Sequence, residues 1–294
     1  YKYIKPYLPF FILGPLCMII EVIGEVLMPK YLSMIINGAN NKTLSVPGCL
    51  GVMGLMILTA VLMMLGGIGG AYFGGKASVN FAADLRSDVF TKVQKFSFAN
   101  IDKFSSGSLV TRLTNDVTQM QNVVNMALRM LLRAPGMLIG GLIMAIALKP
   151  SLSVVFAVTL PLLLISVISI ISVGFPRFSR MQTKIDALNS TVQENITNMR
   201  VVKSFVREDH EKKKFGKANR DLKDSGISAM RVMIFMSPVM TFFMNITIIA
   251  VIWFGGRIVL SGDMDIGDLS AFITYVSQIL SSLMMVTVMF MMSS

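Results

Sequence analysis

Charge is what this sequence has least of. Only 15% of its 294 residues are Asp, Glu, Lys or Arg, against a hydrophobic share of 54%. A water-soluble domain of that size could not cover its apolar surface with so few charges, so the soluble classes are excluded. The one histidine, His210, has no His or Cys near it and reads as a surface residue, and no metal site is expected. The two cysteines, Cys17 and Cys49, provide neither a disulfide framework nor metal-ligand spacing. No GxxxxGK[ST] phosphate loop occurs, so these residues carry no nucleotide-hydrolysing site and no catalytic residue is assigned. A cleaved leader is not expected either, because the opening apolar run is too long and no small-residue cleavage site follows it.

What the sequence does have is long apolar runs and a net charge of +11. Six runs reach the roughly 20 residues that a helix needs to cross a bilayer: 8–36, 50–76, 128–148, 152–175, 235–259 and 267–292. Residues 37–49, 149–151 and 260–266 are short links, whereas 77–127 and 176–234 are long and hydrophilic. Short and long links alternate, so the short ones belong on one side of a membrane and the long ones on the other. Of the 27 Lys and Arg, only Lys30, Lys42, Lys149 and Arg257 fall on the short-link side. The positive-inside rule then makes the long links and both termini cytoplasmic. Basic residues spread between apolar runs fit a membrane surface and not nucleic acid.

The long links carry helical periodicity. Phe81, Leu85, Val89, Val93 and Phe96 recur at helical spacing, as do Leu109, Leu113, Val117, Met120 and Val124. In the second link Met181, Ile185, Leu188, Val192 and Ile196 repeat the pattern. Each link therefore reads as a helix descending, a turn, and a helix returning; an arm of about 20 residues at 1.5 Å each would reach roughly 30 Å. Ser, Asn and Gly interrupt the first link at 97–107. In the second, Asn195, Thr197 and Asn198 precede an amphipathic patch, Met199, Val201, Val202 and Phe205, interleaved with Arg200, Lys203 and Arg207. From charge alone that patch is a solvated loop or a docking helix. A short helix seated in a partner's groove fits the matching turns. Inside the second apolar run, Gly66-Gly67-Ile68-Gly69-Gly70 reads as close helix packing.

The segments NIDKFSSGSLVTRLTNDV (100–117), QENITNMRVVKSFVRE (193–208) and FGGRIVLSGDMDIGDLSAF (254–272) resemble the membrane domain of ABC exporters. EVLMP (25–29) and RMLLRAPGMLIGGLIMA (129–145) are similar to the bacterial heterodimeric multidrug exporters in particular. The resemblance covers nearly the whole chain. It implies an all-α membrane protein of six long helices that extend into the cytoplasm, working as one half-transporter beside a second. It also implies two cytoplasmic coupling helices, at 99–106 (with Asn100, Ile101, Asp102 and Phe104) and 197–206 (with Met199, Arg200, Val201, Val202 and Phe205). These would seat on nucleotide-binding domains that hold ATP and Mg2+ and lie outside these residues. The implied partners are a second membrane half, those domains, the bilayer and an amphipathic small molecule of multidrug type, in a bacterial plasma membrane. Peptide or lipid export is the alternative. A secondary transporter, the more remote alternative, would need coupling-ion sites and usually broken helices at midplane, whereas Gly and Pro here are scattered. A voltage-gated channel would need an Arg-rich span and a re-entrant pore loop, and neither is present.

Polar groups inside apolar runs are the candidate cavity residues. Glu21 and Glu25 share one face of the first span, where an isolated carboxylate costs about 2.5–3.5 kcal/mol on insertion scales. They either line a cavity that favours cationic amphiphiles or serve structure, Glu25 beside Lys30 or at the kink of Pro29. Asn245 and Gln278 are open between substrate contact and hydrogen bonds between helices. Met285 and Met289 sit in a methionine-rich last span, where thioethers either fill the core or offer an adaptable wall.

Overall fold

The computed structural model describes residues 2–96 and 106–293, and over them every regular element is a helix. The long elements are α1 (Leu8–Asn40), α2 (Val46–Gln94), α4 (Val117–Met130), α5 (Arg133–Leu148), α6 (Pro150–Thr197), α8 (Glu208–Ile234), α9 (Met236–Leu260) and α10 (Ile266–Ser293). The short ones are two six-residue helices, α3 (Ser106–Thr111) and α7 (Met199–Ser204), a 3-10 turn at Lys5–Tyr7 and a π-helical turn at Arg112–Asp116. Six stretches among the described residues are long and apolar enough to cross a membrane: Lys5–Asn40, Val46–Gln94, Gly107–Leu148, Pro150–Thr197, Glu208–Leu260 and Ile266–Val286. The 49 residues of α2 run about 73 Å at 1.5 Å per residue. That is more than twice the roughly 30 Å of a hydrocarbon core, so much of the helix must extend beyond it. Only 6% of the apolar window of α2 is buried, which a lipid environment tolerates and water does not.

The chain divides into two compact units, Tyr1–Val155 with Ile248–Ser294, and Phe156–Thr247. In the first, α1 packs on α2 through glycine. A Cβ at Gly66 would come 2.8 Å from the Cys17 carbonyl oxygen and 3.1 Å from the Glu21 nitrogen, and one at Gly69 would meet Cys17 Sγ at 2.9 Å. Lacking a hydrophobic driving force between helices in lipid, such close approach is what holds them. Both cysteines are free thiols. At one end of this unit three links come together. Asp268 accepts from Ser33 and from Asn37 Nδ2 (3.0 Å), and Asn37 Oδ1 accepts the Gly267 N–H (2.7 Å) at the start of α10. Asn41 donates to Asp265 (3.0 Å), and Lys149 donates to the Asp263 carbonyl (2.9 Å). The links 37–49, 149–151 and 260–266 thus share one end.

In the second unit α6 and α8 lie antiparallel, with partners that rise on one helix as they descend on the other. Lys184 pairs with Asp221 (3.1 Å), Asn195 donates to Glu211 (3.1 Å) and Lys214 pairs with Glu194 (2.7 Å). Such exposed pairs add little to stability. They act mainly to hold the register.

Arg112 and Asp116, four apart, bound a π-helical turn between α3 and α4. Wider winding there moves the residues that face α2, and Arg86 Nε reaches the Leu113 carbonyl at 3.1 Å.

Candidate functional site

The polar centre of the first unit is built by two prolines. Pro135 lacks an N–H, and its ring crowds the carbonyl of Leu131, so the helix breaks at Leu131–Leu132 between α4 and α5. The break leaves Arg133 in the first turn of α5, and its guanidinium crosses to α1. Nη1 donates to Glu21 Oε1, and Nη2 donates to Glu25 Oε2 at 3.2 Å. One arginine thereby clamps two carboxylates one helical turn apart. The Arg133, Glu21 and Glu25 side chains are 29%, 17% and 31% exposed. Charge pairing of this kind offsets the cost of ionised groups inside an apolar span.

The second proline is Pro29, within α1. It cannot donate to the carbonyl of Glu25, four residues back, and that orphan acceptor receives Gln278 Nε2 from α10 at 3.0 Å. Beside it the buried Tyr275 hydroxyl donates to the Val26 carbonyl at 2.9 Å. Two side chains of α10 therefore satisfy the backbone of α1 at its proline. Gln278 Oε1 and Glu21 Oε2 are buried with no hydrogen-bond partner among the described residues.

Two pockets flank this clamp. One, of about 210 Å3, is lined by Glu25, Arg133, Met137, Gln278, Met285 and the hydroxyls of Thr274, Ser277, Ser281 and Ser282. The other, of about 470 Å3, is lined by Met18, Asn122, Asn125, Met126, Arg129, Met130, Arg133 and Met285. Glu21, Glu25, Gln278 and Met285 are thus brought together around Arg133. Asn245 belongs to the second unit, is exposed, and donates to the Thr241 carbonyl of its own helix at 2.9 Å. The Met289 side chain lies outside the described part. Arg133 was no sequence candidate, because its partners are 108 and 112 residues away; the helix-breaking Pro135 was the available signal.

In the second unit, α7 forms the turn between α6 and α8. Asn198 is its N-cap residue, and Phe205 and Val206 end it. The Val206 N–H donates to the Lys203 carbonyl (3.3 Å) and the Arg207 N–H to the Val202 carbonyl (3.0 Å). This is a Schellman motif with valine at the left-handed position, φ +49°, where glycine is usual. A β-branched residue held there carries strain of about 1–3 kcal/mol. Met199 and Val202 line an inward pocket of about 500 Å3 with Val192, Ile196 and Phe215. Val201 is exposed on the other side, and Phe205 and Val206 are 73% and 79% exposed. Lys203 bonds Glu208 at 3.0 Å across the turn and holds that carboxyl below its ordinary range. The first turn's Asn100, Ile101, Asp102 and Phe104 lie outside the described residues.

The family described as the ABC transporter transmembrane region matches residues 11–283. The chain belongs to that family. The ABC transporter ATP-binding protein YfiB of Bacillus subtilis is 33% identical over 97% of the chain. An ABC transporter ATP-binding protein of Mycobacterium tuberculosis is 39% identical over 81% of it. These matches cover 49% and 40% of the relatives, so this ABC transporter transmembrane region spans half or less of the curated proteins it matches. Its six apolar helices make it an integral membrane protein. Among the described residues no cluster of His, Cys, Asp and Glu has the make-up of a metal site.

Proposed function

We propose that the chain is the membrane-spanning half of an ATP-driven exporter that moves amphipathic small molecules out of the cell by alternating access. The observation that carries this reading is the solvent-facing helix α7, set at the turn of a long antiparallel pair in a chain of the ABC membrane family. Its relatives are named as ATP-binding proteins and are about twice as long, which supports nucleotide-binding domains as working partners. ATP and Mg2+ belong on those domains, whose hydrolysis supplies the energy. No residue of this chain is assigned to the nucleotide.

In this account α7 is a coupling helix: Val201 and Phe205 enter a groove of a nucleotide-binding domain, while Met199 and Val202 fix the helix to α6 and α8. The residues of 99–106 act as its counterpart. The α6–α8 pair carries the displacement toward the bilayer. A second membrane half, in a heterodimer, completes the cavity. Both termini are cytoplasmic, as the Lys and Arg asymmetry favours, in a bacterial plasma membrane. Pockets of about 210 and 470 Å3 suit small molecules better than peptides. The clamp gives Glu21 and Glu25 a further role, positioning Arg133.

The test uses the full transporter in inside-out vesicles. ATP-dependent accumulation of amphipathic dyes is expected, and V201S/F205S is expected to abolish accumulation while dye binding survives. Accumulation driven equally well by an ion gradient without ATP would overturn the reading.

A further inference from the structure

The α4–α5 corner carries a second arginine. Arg129 lies one turn before Arg133, with its stem on α2: its Cγ is 3.8 Å from where a Cβ of Gly74 would sit. Unlike Arg133, it forms no ion pair among the described residues. Both arginines line the 470 Å3 pocket, whose remaining polar groups are the amides of Asn122 and Asn125. Its other walls are methionine, and among the described residues no acidic side chain lines it. Glu25 instead lines the smaller pocket.

We propose that the 470 Å3 pocket binds a single-chain amphiphile through an anionic headgroup, with Arg129 as the residue that selects the charge. This names a substrate class for the proposed exporter and rests on that reading. Arg133 is already engaged by two carboxylates, a cluster that sums to one negative charge, so the guanidinium left to meet an anion in the pocket is that of Arg129. A guanidinium presents parallel donors that match a carboxylate or sulfate in two hydrogen bonds. Surrounding apolar groups strengthen that attraction relative to water, and the same guanidinium repels a cationic headgroup. The amides of Asn122 and Asn125 add donors; Asn125 Nδ2 at present bonds Ser78 Oγ at a long 3.3 Å. Flexible thioethers of Met18, Met126 and Met130 accept alkyl chains of varied shape. Charge complementarity therefore sets the headgroup, and the methionine wall leaves chain identity permissive.

Three dansyl-labelled eleven-carbon chains test this on the full transporter in lipid nanodiscs, with empty nanodiscs as background: the carboxylate, its methyl ester and the matching trimethylammonium. The native protein is expected to bind the carboxylate most tightly. R129Q is expected to weaken carboxylate binding about tenfold, the scale of one charge-assisted hydrogen bond, and to leave the ester unchanged. R129K, which keeps the charge and loses the fork, falls between. Unchanged ester binding also shows that R129Q is folded. Equal weakening of all three chains, or a native preference for the ammonium, overturns the proposal. ATP-driven transport of neutral dyes without any carboxylate preference sinks this inference and leaves the exporter reading intact. Selective carboxylate binding with no ATP-driven movement does the reverse.

Discussion

Replacing Arg133 by methionine keeps the bulk of the side chain and removes the one cation that, among the described residues, bonds Glu21 and Glu25. Two carboxylates one helical turn apart then face each other without compensation, in a place where water reaches them poorly. Breaking a fully buried ion pair by removing one partner costs about 3–5 kcal/mol, whereas an exposed pair is worth less than about 1. The clamp's side chains are 17–31% exposed, between those limits, so R133M should cost about 2–3 kcal/mol. Removing all three charges together, as R133M/E21Q/E25Q, leaves no stranded ion and should recover more than half of that loss. Glu21 is the less exposed carboxylate, so E21Q should recover more of the R133M loss than E25Q. Thermal unfolding of the transporter in nanodiscs, across the set of single, double and triple variants, reads these differences. A triple variant as unstable as R133M, or an R133M protein indistinguishable from the native one, would refute the clamp.

Other substitutions report on the packing and the turn. A bulky side chain at Gly66 must push α1 from α2, so G66L should cost about 1–3 kcal/mol or more in the same assay. G54A, with nothing within 4 Å of its new Cβ, should be neutral or slightly stabilising. Q278L strands the Glu25 carbonyl that Pro29 leaves open and should cost about 1–3 kcal/mol; P29A restores a backbone donor and should recover part of it, which thermal midpoints of the pair will show. V206G relieves a left-handed valine and should increase amide protection at the α7–α8 turn by about 1 kcal/mol, measured by hydrogen exchange. Because Lys203 lowers the Glu208 carboxyl, their bond contributes above the ordinary carboxylate range and is lost as pH falls through the depressed value. Amide protection near 204–208 should therefore fall on acidification, and K203M should weaken that dependence.

The six apolar helices, and the helical continuation through residues 81–93 and 181–196, are legible because period and apolarity are local properties. The run at Gly66–Gly70 could be read for the same reason, since only small side chains permit the 2.8 Å approach seen at Gly66. The turn at 197–206 was legible from weak helix formers and an amphipathic patch, and α7 occupies Met199–Ser204. Three features were not. Arg133 is not legible as a site residue, because nothing near it in sequence hints at two carboxylates on another helix. Gln278 was left between two roles, and its donor proves to serve a carbonyl that a proline more than two hundred residues earlier leaves free. Val202 reads with Val201 as part of one amphipathic patch, yet it lines the pocket beside α7 while Val201 is exposed, since residues one apart on a six-residue helix face different ways. Position along the chain predicts elements well, and partners across helices poorly.

The exporter account stands most directly on whether α7 transmits force. The decisive measurement is simultaneous ATP hydrolysis and dye accumulation by the full transporter, comparing native protein with V201S/F205S in inside-out vesicles. The account predicts that hydrolysis persists, dye still binds, and accumulation is lost. Accumulation at the native rate per ATP hydrolysed would contradict it.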